Sequence, residues 1–246
     1  MPVDAPVNTT VDARVVTTAD ARPPSDAAPP PPTPGVVHAT WTNQPPTIDG
    51  QGTEYQAATP YSFDIADGVI TDFLTGYTAS QVSTFRILHD AANLYVFVHV
   101  VDDAVQTDST QNYDDDSVNL YLDVANDRSG AYGDDDHELI ISADATWWDF
   151  GPATTLPDLT AARELVPGGW NIEFRLSKTG LFATVGSAIG FDFGLNDDDD
   201  GQGYDGYGLW YEKAGPRCAD CCTGWSTAQA WCDTTMLGQL MLDPKP

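Results

Sequence analysis

The chain is poor in positive charge. It has 10 Lys and Arg against 37 Asp and Glu, a formal net charge of −27. No basic patch can be assembled from so few cations, which excludes a nucleic-acid partner and an anionic membrane surface. Long apolar runs are also missing. None approaches the ~18 to 20 residues of a spanning helix, so no transmembrane segment is expected. The N-terminus lacks the basic region and apolar stretch of a secretory signal, although it reads like what remains after one is removed. Helical periodicity is scarce, the short stretch "PDLTAARELV" being the best candidate for a helix. Neither a G-x-S-x-G elbow nor an H-E-x-x-H pair occurs. What remains open is a partner that is neutral or cationic.

Cysteine is sparse and localised: Cys218, Cys221, Cys222 and Cys232 share one window. Four thiolates could close a tetrahedral zinc site, but structural zinc sites favour two separated C-x-x-C pairs. Two disulfides stapling a loop are expected instead, paired 218–221 with 222–232 or 218–222 with 221–232.

Residues 1–36 hold nine of the 18 prolines, no aromatic residue, and a recurring Asp-Ala at Asp4, Asp12, Asp20 and Asp26. Such a segment cannot bury enough apolar surface to offset its ordering entropy, so it reads as a disordered Pro/Ala/Asp-rich tether. Its composition resembles linkers of secreted modules and bacterial surface lipoproteins. An extracellular or cell-surface location is expected, including that of an outer-membrane lipoprotein.

From residue 37 to 246 the texture changes to short alternating runs separated by Gly, Asp, Asn and Pro. In "WNIEFRLS", Trp170, Ile172, Phe174 and Leu176 fall on one face. In "IGFDFGLN", Ile189, Phe191, Phe193 and Leu195 do so. "SVNLYLDV" turns Val118, Leu120 and Leu122 inward, and Asn119 and Tyr121 outward. "HELIIS" turns Leu139 and Ile141 inward, and Glu138, Ile140 and Ser142 outward. "NLYVFVHVVD" is apolar on both faces, as a covered central strand should be. "TFRILHD", "TWWDF", "GLWYE" and "GQLML" complete the strand candidates. This pattern predicts an all-β, antiparallel, jelly-roll-like β-sandwich in one domain.

In this order the motifs resemble the family 9 carbohydrate-binding modules. The resemblance rests on "TIDGQGTEYQAA", "FRILHDAANLYVFVHVVDD", "DDDSVNLYLDVANDRSGAYGDDDHEL", "GGWNIEFRLS", "IGFDFGLNDDDDGQ" and "LGQLML", and runs from about Thr47 to Leu242. It implies a sandwich that binds oligo- or polysaccharide of plant or microbial origin without cleaving it, as a monomer stabilised by calcium. The family holds its sugar between two aromatic rings, and the matching positions here are Tyr113 and Trp231. The polar positions that complete the family's site correspond to Asn119, Glu138, Ile140 and Ser142. Two depart from the pattern: Asn119 stands in place of an acidic residue and Ile140 in place of an arginine. The second change removes a charged fork of donors, which makes a structural or adhesive surface domain that has lost the sugar slot the competing expectation.

The aspartate runs point to a hard cation, since Ca²⁺ takes roughly six to eight oxygen ligands. "NDDDDGQGYDGY" opens like an EF-hand loop, but Tyr207 occupies the twelfth position where a bidentate Glu is needed. A β-turn calcium site drawing on some of Asp197, Asp198, Asp199 and Asp200 is expected instead, Asp197 and Asp199 first, and a second joining Asp102 or Asp103 to Asp134, Asp135 or Asp136. The acids sit in turns where water should keep them ionised, with no buried acid of the kind a glycosidase pair requires. No enzymatic activity is expected.

Overall fold

The computed structural model describes residues 35–64, 69–71, 82–152, 158–179, 188–211, 230 and 233–246. These form thirteen strands and two short 3-10 turns. The strands are β1 (Val36–Trp41), β2 (Tyr61–Asp64), β3 (Val69–Thr71), β4 (Val82–His89), β5 (Asn93–Val101), β6 (Ser117–Asp123) and β7 (Asp136–Ser142). They continue as β8 (Trp147–Asp149), β9 (Leu159–Val166), β10 (Gly169–Ser177), β11 (Ala188–Asp197), β12 (Gly206–Leu209) and β13 (Gly238–Leu242).

Two sheets result. The first runs β8-β7-β6-β11, with β13 and β12 sharing the far edge of β11; the second runs β9-β10-β5-β4, with β2 and β1 sharing the edge of β4. β1 joins them. Its first residues pair with β13 (Val36↔Gln239 to Ala39↔Leu242) and its last with β4 (Thr40↔Leu88, Trp41↔His89), in parallel both times. Every other pairing is antiparallel.

The expected inward residues form the core between the sheets. Trp170, Ile172, Phe174 and Leu176 of β10 are fully buried, as are Val118, Leu120 and Leu122 of β6 and Phe191, Phe193 and Leu195 of β11. The sheets meet at Phe85 of β4, whose ring stacks on Phe193 of β11 at 4.6 Å between centroids. Tyr61 and Trp210 pack on Phe85 at 5.4 and 6.1 Å. The chain is an all-β sandwich, as its alternating runs predict.

One element differs from expectation. "PDLTAARELV" is no helix: its last eight residues are β9, paired along their length with β10 from Leu159↔Leu176 to Val166↔Gly169. The Ala-Ala-Arg-Glu-Leu run favours a helix locally, but a Pro167-Gly168 turn folds it back onto the edge of β10. Gly168 there has φ 81°, the positive value that a Pro-Gly turn demands at its second central residue. Tertiary pairing overrides a weak local preference.

The second sheet also explains the "TIDG" segment. Glu173 lies on the face of β10 that points away from the core, yet it is fully buried. Its Oε2 accepts hydrogen bonds from the backbone N–H of Asp49 (2.9 Å) and Gly50 (3.0 Å). Gly50 has φ 86°, and a Cβ there would stand 2.7 Å from the backbone carbon of Arg163, so the turn admits only glycine. Glu173 thus pins the loop that leads into a buried cluster of Tyr55, Ala58, Leu88 and Tyr95.

Candidate functional site

On the first sheet the outward face of β6 and β7 carries the residues expected to orient a sugar. Register places Asn119 opposite Ile140, Tyr121 opposite Glu138, and Ser117 opposite Ser142. They point away from the core as alternation requires, but most are covered: Asn119 is 2% exposed, Ile140 3% and Ser142 1%. Only Glu138 stays partly open. A second apolar cluster on this side contains Tyr121, Tyr207, Leu209, Ala230 and Leu237, with Tyr132 and Tyr204 against it. The Tyr121 and Tyr207 hydroxyls meet at 2.7 Å.

Asn119 donates through Nδ2 to Asn196 Oδ1 at 3.2 Å, whereas its own Oδ1 and the Ser142 Oγ have no hydrogen-bond partner. Asn196 in turn donates to the Tyr113 carbonyl at 2.8 Å, so the start of the Asp114 run is tied to β11. Burial, with the Asp149 carboxylate nearby, pushes Glu138 up to about 8. Tyr113 is half-buried at the rim, its ring meeting the edge of Phe150 at 5.5 Å. Trp231 and all four cysteines, Cys218, Cys221, Cys222 and Cys232, lie outside the described residues.

The aspartates assemble in two places, at opposite ends of β6. At its beginning, Asp102 from the end of β5, Asp116 before β6 and Asp197 at the end of β11 bring carboxylate oxygens within 4.8 Å of one another, all three buried. Asp102 accepts from the Trp170 indole at 3.0 Å and from the Ala104 N–H at 2.8 Å. Asp116 accepts from the Gln106 N–H at 2.6 Å and the Asp198 N–H at 3.0 Å. Asp197 is different: it is fully buried and neither oxygen has a hydrogen-bond partner. Burial, with Asp199, Asp205 and Asp198 around it, pushes it up to about 8.

Overlapping groups extend this basin. Asp102 and Asp103 converge with Asp199, Asp108 and Asp115 with Asp198, and Asp198 with Asp200 and Asp205. One oxygen each of Asp198, Asp199 and Asp205 is also buried and unpartnered. Buried carboxylate oxygens without donors are costly unless a cation or proton meets them. An all-oxygen donor set of this kind suits a hard divalent cation.

The second assembly joins Asp123, Asp135 and Asp136. Asp123 accepts from the N–H groups of Asp127 (3.2 Å) and Arg128 (2.9 Å), which curl the loop after β6 around it. Asp136 keeps one oxygen unpartnered, and burial pushes it up to about 6.

The expected joining of Asp102 with Asp134 and Asp136 does not occur. Asp102 meets the start of β6 and Asp136 its end, about 20 Å apart at ~3.3 Å per residue, and Asp134 is exposed and enters neither group. The expectation that every acid stays wet also fails, since Asp116, Asp197 and Asp198 are fully buried. The sequence marks Asp116 only as part of an aspartate run, and does not single out Asp123 or Asp205. Each stands just outside or at the end of a strand, where the sheet's own pairing decides which neighbours it meets.

A sandwich with a partly polar outer face and acid-lined strand ends places the chain in a class of all-β domains with candidate cation sites at their strand ends. Within that class, the chain belongs to the carbohydrate family 9 binding domain-like family, whose profile matches residues 48–245. Among curated proteins it is 28% identical over 201 residues to "Exoglucanase XynX" of Acetivibrio thermocellus, covering 82% of this chain and 17% of that one. It is 28% identical over 171 residues to "Endo-1,4-beta-xylanase A" of Thermoanaerobacterium saccharolyticum, covering 70% of this chain and 13% of the relative. The chain therefore spans less than a fifth of the length of these relatives. Among solved structures, a family 9 carbohydrate-binding module from Caldicellulosiruptor kristjanssonii in complex with cellotriose superposes with a TM-score of 0.67 at 19% identity. That match covers 86% of this chain and 95% of the module. The same module in complex with glucose gives 0.67 at 18% identity, covering 86% and 97%.

Proposed function

We propose that this chain binds neutral oligo- or polysaccharide without cleaving it, outside the cell, on the outer face of the first sheet. The observation that carries this reading is its membership of a carbohydrate-binding family over nearly the whole folded length. The charge of −27 agrees with it, because a neutral sugar meets no repulsion where an anion would. A pyranose would stack between Tyr113 and Trp231, with Asn119, Glu138 and Ser142 as hydrogen-bonding partners. Calcium would be held at the basin of Asp102, Asp116, Asp197 and Asp199, and at the end of β6 by Asp123, Asp135 and Asp136. Support for the first site is the buried Asp197 carboxylate with both oxygens lacking donors. The ion's role there is to neutralise facing carboxylates and so fix the ends of β5, β6 and β11.

A second reading has its own observation. The burial of Asn119, Ile140 and Ser142 favours a structural or adhesive domain in which this part of the slot is closed. Calorimetric titration with glucose and cellotriose separates the two. Carbohydrate binding predicts saturable heat that Trp231→Ala abolishes with little change in Tm. Unchanged binding by that variant would remove Trp231 from the site, and no heat from the parent would favour the adhesive reading.

A further inference from the structure

The closed part of the outer face ends at β8, and there the surface becomes aromatic and open. Four large hydrophobic residues are exposed among the described residues, and two of them stand on this edge: Trp148 at 48% and Phe150 at 42%. Register decides where they point. Trp148 lies opposite Ile140 and Trp147 opposite Ile141. Ile141 and Trp147 pack into the core, so Trp148 projects with Ile140 onto the outer face. Phe150, two residues on, projects the same way, its backbone N–H bonded to the Glu138 carbonyl at 2.8 Å. Tyr113 closes one end of the row through its 5.5 Å contact with Phe150.

Along this edge lies an open depression of about 420 Å³, lined by Gln111, Trp147, Trp148, Asp149 and Phe150. That size is within the range of small-ligand clefts, roughly 300–1,000 Å³. The Asp149 carboxylate does not serve it. Its oxygens accept from His137 Nδ1 (2.6 Å) and from the N–H groups of Gly151 (3.0 Å) and Glu138 (3.3 Å). Asp149 is therefore a buried brace that holds β8 on β7, and Gln111 offers the exposed amide at the rim. The depression is apolar rings with one neutral donor and acceptor, set in a strongly anionic molecule. Rings two residues apart on a strand are spaced by roughly 6.7 Å, a step comparable with one sugar unit in a chain. An apolar floor of rings suits the C–H face of a pyranose, whereas anionic glycans are repelled by the molecule's charge.

We propose that Trp148 and Phe150 form a second aromatic subsite, which stacks further units of a neutral glycan chain running past Tyr113 along β8. The proposal rests on the carbohydrate reading above and adds where the chain extends and which residues make longer ligands bind better.

The test is calorimetric titration of glucose and of cello- and xylo-oligosaccharides up to six units with the parent, Trp148→Ala and Trp148→Phe. Trp148 is half exposed, so its removal should leave Tm unchanged. The parent should bind longer chains more tightly than glucose. Trp148→Ala should keep the affinity for the monosaccharide and lose about tenfold, or ~1.4 kcal/mol, on three units and more. Trp148→Phe should recover part of the loss. Equal binding of long chains by parent and Trp148→Ala, with glucose binding intact, overturns the subsite and leaves the carbohydrate reading standing. Loss of glucose binding in Trp148→Ala overturns a separate subsite, because the ring then belongs to the main slot. A parent that binds no saccharide overturns both. A variant that changes sedimentation but not sugar binding makes the platform a contact between copies, and overturns the subsite too.

Discussion

At the scale of single residues, the most consequential feature is how polar groups are treated once buried. Lys178 is a case outside the binding face. Its ammonium donates to His89 Nδ1 at 2.8 Å and to the Asp90 carbonyl at 2.6 Å, while His89 Nε2 donates to the Asp243 carbonyl at 2.9 Å. The relay ties the end of β4 to the chain's last residues. Burial brings the Lys178 pKa down to about 8 from 10.5, Asp90 opposing the shift. Between these values the unfolded chain carries a proton that the folded chain has released, so this group makes stability rise with pH through that window. Below pH 8 the cost of the buried charge is fully present. Denaturation of parent and Lys178→Met, compared from pH 7 to pH 10.5, should show the parent gaining on the variant above pH 8. A constant difference would refute the shift. The sequence marks Lys178 only as one of ten cations; the strands packed around it make it unusual.

At the scale of elements, strands were legible wherever alternation was clean. β6, β7, β10 and β11 fall where their apolar residues alternate, and the core residues follow. The "PDLTAARELV" segment failed because its neighbours, not its own propensity, supply its hydrogen bonds. The outward residues were assigned to the correct face but not to the correct environment. Asn119 and Ser142 do point away from the core, yet a second layer of Tyr207, Leu209 and Leu237 on that side cannot be read from a period of two. Glu173 shows the same limit, since a polar position on the outward face of β10 is a buried clamp. Glu173→Ala leaves the Asp49 and Gly50 N–H groups without an acceptor inside the fold. The expected loss is about 2–3 kcal/mol, or a Tm lower by roughly 5–10 °C. Thermal unfolding with no change would show that the turn holds without the carboxylate.

At the scale of the whole molecule, the excess of 27 negative charges has to be reconciled with a compact fold. Two assemblies of converging aspartates at opposite ends of β6 concentrate that repulsion at strand ends. Calcium there would stabilise the folded state alone, by mass action. EDTA should lower Tm by several degrees and added calcium restore it. The restoration should weaken as pH falls toward 5, because ligands must be deprotonated to bind. An unchanged Tm on chelation would mean that protons or water, not an ion, satisfy Asp197.

By itself the sequence determined the sandwich. The apolar alternation leaves no other economical way to bury those faces, and the charge imbalance weighs against anionic ligands. Tertiary structure decided which aspartates meet, because carboxylates from β5, β6 and β11 are brought together by strand pairing that no local spacing encodes. It also closed the face around Asn119 and Ile140 and opened the one around Trp148. A residue's face follows from its place along a strand, but whether that face is covered depends on what the rest of the chain lays across it.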